Sequence, residues 1–314
     1  MTVIRPHPGN VFQDKVPAAV FVGNAFGKLA GSTQVDELGT LETPIALTNT
    51  LAVGAGVEGA VRWTLAQAGN EDVRSVNALV GETNDAGLND IRALTVRPAH
   101  VLAALAAART GAVEEGSVGA GTGTRAFGWK GGIGTASRRL PAAQGGYTLG
   151  VLVQANYGLR DSLLIAGAPV GQHLRNDRIY SAADDAAGDT GSIIIVIATD
   201  APLLPHQLER ISRRAGMGLA RMGSNAGNGS GDLFVAFSTA NQAALAGGAM
   251  PQATFLANDQ MDPLFVATVQ ATEEAITNAL IAARDMQGTE GHYAKAINHE
   301  ALTAVLKRYG RLVE

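Results

Sequence analysis

A chain of 314 residues with 46% apolar and 17% charged residues holds enough material for a large core. Its net charge of −4, with basic stretches no longer than Arg210-Ile-Ser-Arg213-Arg214, excludes nucleic acid as a main partner. It has no cysteine, so disulfide and thiolate chemistry are excluded, and no apolar run is long enough to span a bilayer. The N-terminal Met1–Pro8 does not lead from a basic stretch into an apolar one, so no signal peptide is read and a cytoplasmic setting is expected.

In chain order, hydrophobic patterning predicts a strand at Ala18–Val22, a helix at Ala55–Ala68, a strand at Val73–Val80 and a helix at Ala99–Arg109. Strands follow at Tyr147–Gln154 and Ile193–Ala198. A helix is read from Leu208, Ile211, Ala215 and Leu219, and a strand at Leu233–Phe237. Helical spacing returns at Leu264–Arg284 and Glu300–Arg308. Several strands are apolar on both faces, which predicts a layered mixture of helices and sheets with the sheets covered on both sides. No repeat and no Pro-rich linker divides the chain, so a single domain over 1–314 is expected. The most plausible break is the loop Ser181–Thr190.

Two glycine-rich segments, Gly116–Thr124 and Lys130–Ser137, invite a nucleotide reading and do not sustain it. Position 126 is alanine where a dinucleotide fingerprint needs glycine, Lys28 is followed by leucine and Lys130 by glycine. Close backbone packing is the better reading, and no cofactor is expected. The six histidines (7, 100, 173, 206, 292, 299) form no metal-ligand pair, so no metal is expected either. Nor does any serine sit in a strand-to-helix nucleophile elbow. The nearest match, Asn228-Gly-Ser230-Gly-Asp232, has no strand before it.

The strongest local signal is Gly191-Ser192. A loop of small and acidic residues runs into a glycine and a serine, then into the β-branched run Ile193–Thr199. A protein that cuts its own chain to expose an N-terminal serine nucleophile needs this order. The hydroxyl must reach the carbonyl of the preceding residue, and glycine tolerates the backbone this demands. The dipeptide alone means little, since it recurs at 31–32, 116–117, 223–224 and 229–230. Three further polar clusters lie at strand ends or turns: Gly81–Asp85, Gln154–Gly158 and Asn228–Thr239. Taken singly, Asn156 reads as a turn cap, Glu82 as a surface carboxylate, and Ser230 with Asp232 as a simple side-chain turn.

Together the clusters resemble the DmpA-type self-processing peptidases, which include L-aminopeptidase/D-amidase-esterases and β-peptidyl aminopeptidases. The matching stretches run in order through Gly9–Gln13, Lys15–Ala18, Thr33–Pro44, Gly81–Asp85, Gly119–Thr124, Gly131–Ser137, Val153–Asn156, Gly191–Pro202 and Asn228–Asp232. Members usually carry several dozen residues, expected to add core strands, ahead of the segment matching Val3–Asn10. The resemblance implies an α+β fold of four layers, αββα, like the Ntn hydrolases with different connectivity. It implies cleavage between Gly191 and Ser192 into an α chain (1–191) and a β chain (192–314) that stay associated, usually as a homotetramer of such pairs. Ser192 would be the nucleophile, and Ser230 with Asp232 would orient it and tune its proton transfer. Some relatives have glutamate where this sequence has Asp232. Asn156 would donate to the oxyanion, and Glu82 would bind the substrate's free ammonium. A tyrosine serves the oxyanion hole in some members, for which Tyr157 is a candidate. The implied activity is hydrolysis of the amide or ester bond after a free-amine residue of short peptides or amino-acid amides, including β-amino acids or D-residues. The alternatives are an acyltransferase of the ornithine acetyltransferase type and an inactive structural homologue.

The chemistry is self-consistent without histidine. A free α-amine titrates near 7.7–8.0, roughly, in model compounds, so a useful fraction of an N-terminal serine amine is neutral near pH 7 and can take the proton of its own hydroxyl. A side-chain amide aimed at a tetrahedral oxygen is worth about 3–4 kcal/mol. A carboxylate facing the substrate amine rewards a free N-terminus and is left desolvated and unpaired when the amine is blocked.

Overall fold

The structure is a computed structural model that describes residues 1–175, 191–242, 250 and 252–312. The loop read as Ser181–Thr190 lies outside the described residues. In chain order the elements are β1 (Thr2–Ile4), β2 (Val16–Ala25), β3 (Leu29–Ala30), α1 (Ser32–Leu38), β4 (Thr40–Leu41), β5 (Ile45–Asn49), α2 (Val53–Leu65), β6 (Leu79–Thr83) and α3 (Pro98–Ala107). Then come β7 (Arg125–Ala126), β8 (Trp129–Lys130), β9 (Gly132–Arg139), β10 (Thr148–Asn156), α4 (Val170–His173), β11 (Ser192–Thr199), α5 (Pro205–Arg221) and β12 (Gly231–Ser238). Helix α6 (Asp262–Ile281), the short hairpin Met286–Gln287 with Tyr293–Ala294, and α7 (His299–Arg308) complete them.

Two sheets carry the architecture. One has the order β4-β2-β12-β11-β10-β9 and the other β1-β5-β6-β3. Three separate apolar clusters define how the layers stack. Ile193, Ile195, Ile197, Phe234 and Ala236 face α5 and α6 through Leu208, Ile211, Ala215, Ala271 and Ile276. The alternate residues Ile194, Val196, Leu233 and Val235 face the second sheet through Leu47 and Leu79. On its far side Ala46 and Val80 pack against Ala60 and the flanking residues of α2. The sequence of layers is therefore helix, sheet, sheet, helix, as the αββα expectation requires.

The run Ile193–Ile197 is apolar at every position because both faces of β11 are covered, and each such side chain taken from water contributes about 1.5–3 kcal/mol. Helix α5 is amphipathic, buries Leu208, Ile211, Ala215 and Leu219, and opens on Pro205 with the Leu204 amide donating to Gln207 Oε1 at 3.1 Å.

The expected strand over Val73–Val80 is corrected: only Leu79 and Val80 of it belong to β6, which runs on to Thr83. Residues 73–77 form a turn and an exposed approach instead. The Val73 amide donates to Asn70 O at 3.1 Å, and the Asn77 amide goes to the buried Glu42 Oε1 at 2.8 Å rather than to a neighbouring strand. Strand β9 (Gly132–Arg139) falls in the glycine-rich segment whose sequence shows close packing but no strand pattern. Its glycines are there for space: a Cβ at Gly134 would lie 1.9 Å from the carbonyl oxygen of Ala275 in α6, and one at Gly132 would lie 2.3 Å from Gly116 O. Close packing is thus what the glycine-rich segments serve. Lys130, within one of them, is fully buried and donates through Nζ to the carbonyls of Gly121 and Gly131, both at 2.8 Å.

Candidate active site

Ser192 is the first residue of β11, and register alone brings its neighbours to it. It pairs with Asn156, the last residue of β10, on one side and with Gly231, the first residue of β12, on the other. All three strand ends meet at one end of the six-stranded sheet, between its interior strands. Ser192 is buried, and its Oγ accepts from the Gly231 amide at 3.3 Å. The same amide donates to the carbonyl oxygen of Gly191 at 3.2 Å. One backbone N–H thus sits between the serine hydroxyl and the carbonyl oxygen of the residue before it.

The glycine at 191 is required by space. A Cβ there would stand 2.3 Å from Tyr157 Cα and 2.6 Å from Asn156 O. Gly231 is crowded in the same way, with Phe26 O 2.8 Å from where a Cβ would be.

Ser230 and Asp232 flank Gly231. Both are fully buried, and Ser230 Oγ donates to Asp232 Oδ1 at 2.6 Å. The Ser230 carbonyl accepts from the Phe26 amide at 3.2 Å and from the Asn24 side-chain amide. Alternation along β12 places Asp232 on the face of Phe234 and Ala236, whereas Ser192 shares the face of Ile194 and Val196. The pair therefore meets the serine through Gly231 and the strand end rather than across one face of the sheet.

Asn156 is held at both ends of its amide. Its Oδ1 accepts from the Arg125 amide at 2.9 Å and its Nδ2 donates to Asn84 O at 3.0 Å, leaving the second N–H of that nitrogen for another acceptor. The neighbouring Gln154 reaches the second sheet, donating to Thr48 O at 3.0 Å and Thr83 Oγ1 at 2.8 Å. Tyr157, the residue after β10, packs edge-on to Phe127 with ring centroids 4.9 Å apart, inside the helix-side core.

Glu82 reaches the site from β6 of the other sheet. It is 2% exposed, and its Oε1 accepts from the Lys28 amide at 2.9 Å and pairs with Lys28 Nζ at 3.4 Å. Gly27 fills the gap between the two sheets here, since a Cβ on it would lie 3.1 Å from Gly231 Cα and 3.5 Å from Glu82 Oε1. Sequence reasoning weighed Gly27-Lys28 only as a phosphate loop and missed its place in the site, because the pairing with Glu82 is made across two sheets.

A cavity of about 480 Å³ opens beside the ends of β5 and β6, lined by Thr48, Asn49, Asp85, Asn89 and Thr122 among others. Burial raises the Asp85 carboxyl pKa above the usual carboxylate range, against hydrogen bonds from Asn89. Among the described residues the hydrogen-bond partners of His7, His100, His173 and His299 lie away from the cluster, and His292 Nδ1 lies 2.9 Å from Gly87 O in the loop that lines the cavity. Among the described residues no group of three or more acidic or histidine side chains converges as metal ligands would, and no helix is long and apolar enough to cross a membrane.

Set against known proteins, residues 1–294 match peptidase family S58. A β-peptidyl aminopeptidase of Sphingosinicella microcystinivorans is 43% identical over 99% of this chain and 81% of its own. The crystal structure of the PH0078 protein of Pyrococcus horikoshii superposes with a TM-score of 0.90 at 46% identity, covering 99% of this chain and 85% of that one. The L-aminopeptidase D-Ala-esterase/amidase of Ochrobactrum anthropi, described as a variant of the Ntn hydrolase fold, superposes at 0.87 with 41% identity, covering 95% and 82%.

Proposed function

The chain belongs to peptidase family S58 and is a serine-type aminopeptidase, and we propose that it makes its own nucleophile by cleaving between Gly191 and Ser192. The observation that carries this reading is the Gly231 amide, placed 3.3 Å from Ser192 Oγ and 3.2 Å from Gly191 O. In the intact chain Ser192 Oγ attacks the Gly191 carbonyl carbon, and the oxygen that gains charge already has a backbone donor. The hydroxyl proton passes to the departing Ser192 nitrogen, and water hydrolyses the resulting ester to a Gly191 carboxylate and a free Ser192 amine.

In turnover the same hydroxyl attacks the substrate carbonyl while the Ser192 α-amine takes its proton and returns it to the leaving amine. Asn156 donates to the tetrahedral oxygen through the N–H that Asn84 leaves unused. Ser230 and Asp232 hold the strand end and place negative charge near the α-amine, and Glu82 receives the substrate's ammonium. The substrates are short peptides or amino-acid amides with a free amine, β-amino acids among them, as the β-peptidyl aminopeptidase relative suggests. The aminopeptidase relatives do not favour the acyltransferase alternative. The proposal extends to a single domain that stays together after cleavage, to a homotetramer of αβ pairs, and to a cytoplasmic setting.

Denaturing mass spectrometry of the purified protein tests it. Two fragments, the second beginning at Ser192, are expected from the wild type and one full-length chain from Ser192→Ala. A wild type that stays at full-length mass after long incubation overturns self-processing.

A further inference from the structure

The two oxygens of Glu82 are used unequally. Oε1 takes both the Lys28 amide at 2.9 Å and the Lys28 ammonium at 3.4 Å, while among the described residues Oε2 takes no hydrogen bond. The carboxylate is 2% exposed, so an oxygen without a partner there is held ready for a ligand. The lysine side chain is itself 55% exposed and tethered by Nζ to Thr50 Oγ1 at 2.9 Å.

We propose that Lys28 is a specificity-determining residue: a resident ammonium on Glu82 Oε1 that weakens, by like-charge repulsion, the binding of a substrate ammonium at Oε2. This rests on the reading of Glu82 as the amine receptor. A buried carboxylate needs a countercharge when no substrate is bound, and Lys28 supplies it. A second ammonium arriving at Oε2 then shares one negative charge with a cation already in contact. Because Lys28 is half exposed, water and salt screen the repulsion to a modest effect, a factor of about five in selectivity. Lys28 thereby lowers the affinity for free amines and so eases product release.

The experiment compares kcat/KM for 3-aminopropionyl p-nitroanilide with that for propionyl p-nitroanilide, which share a leaving group and differ by the amine. In Lys28→Met the ratio of amine to des-amino substrate is expected to rise about five-fold, and in Lys28→Arg, which keeps the charge, to stay near wild type. Thr50→Val frees the ammonium from its tether and is expected to raise the ratio by less, giving a second reading should Lys28→Met fold poorly. A general structural lesion would lower both substrates alike and leave the ratio where it was. A ratio that is unchanged or lower in both Lys28→Met and Thr50→Val overturns the proposal. Glu82→Gln separates the two ideas: a wild-type ratio in that variant removes Glu82 as the receptor, whereas a collapsed ratio there with no rise in the Lys28 and Thr50 variants removes Lys28 alone.

Discussion

The amide of Gly231 donates to Ser192 Oγ at 3.3 Å, and this contact joins two strands that run parallel, β11 and β12, at their first residues. Parallel register is what allows it. Ser192 opposes Gly231, Ile193 opposes Asp232, and the Ser230–Asp232 hydrogen bond is thereby fixed one residue to either side of the donor. An antiparallel neighbour would bring the far end of its strand here, as β10 does with Asn156. The cluster therefore follows from one sheet order rather than from any contiguous motif.

Gly191→Ala tests the space requirement. A methyl group 2.3 Å from Tyr157 Cα cannot be accommodated without moving the chain away from the strand end. Cleavage is expected to slow at least tenfold, with a loss of stability of about 1–3 kcal/mol from overpacking. Time-resolved gel electrophoresis and thermal melting check the two effects. Processing at the wild-type rate would mean that residue 191 leaves the observed position before reaction.

Glu82→Gln is expected to lower kcat/KM for free-amine amides and p-nitroanilides by about 10²-fold or more, as expected when a charge-assisted bond to a buried carboxylate is lost. N-acetylated versions are expected to be poor substrates of the wild type, because they bring no ammonium to Glu82 Oε2 and Lys28 already occupies Oε1. Equal turnover of blocked and free substrates would remove the role assigned to Glu82.

The layers of this fold were legible in the sequence wherever a strand or helix had one dominant pattern. The β-branched run of β11 and the 3.6-residue spacing of α5 and α6 were read at the right place because burial on both faces or on one stripe leaves a direct imprint. Strand β9 left no such imprint, since Gly134 is demanded by a helix that crosses it more than a hundred residues later in the chain and Gly132 by the backbone of Gly116. The residues proposed for chemistry, Ser192, Asn156, Ser230, Asp232 and Glu82, were found as clusters at strand ends, and the structure brings Ser192, Asn156 and Gly231 into direct register. Lys28 was legible only as a failed phosphate-loop lysine, because its part here depends on one side chain meeting a carboxylate from the other sheet.

Burial lowers the Lys130 ammonium from the ordinary lysine range to about 7, while Asp85 acts weakly in the opposite sense. Unfolded, this lysine holds its proton to about pH 10.4. Between these values the unfolded chain binds more protons than the folded one, so Lys130 makes stability rise with pH from about 7 to about 10. Below that window the cost of burying the charged form is fully present. In Lys130→Met the cost is absent at every pH, and the two carbonyls left without a donor add a constant loss. The Tm of Lys130→Met minus that of the wild type is therefore expected to fall as pH rises through the window. Calorimetry from pH 6 to pH 10 checks it, and a difference independent of pH would show that Lys130 keeps an ordinary proton affinity.

The proposed base makes the sharpest kinetic demand. If the α-amine of Ser192 accepts the hydroxyl proton, kcat/KM rises with pH through a single ionisation of that amine, since only the neutral form can act. A nearby anion stabilises the ammonium form, so removing the Asp232 charge favours the neutral amine. Asp232→Asn is expected to move the rising limb toward lower pH and to lower the plateau rate, because Ser230 loses the carboxylate that accepts its hydroxyl at 2.6 Å. Replacing His7, His100, His173, His206, His292 and His299 in turn is expected to leave the limb in place, because the proposed base is the α-amine and no imidazole. A limb that vanishes with one of these histidines would make that imidazole the base, and the serine would then need no free amine and no cleavage at Gly191.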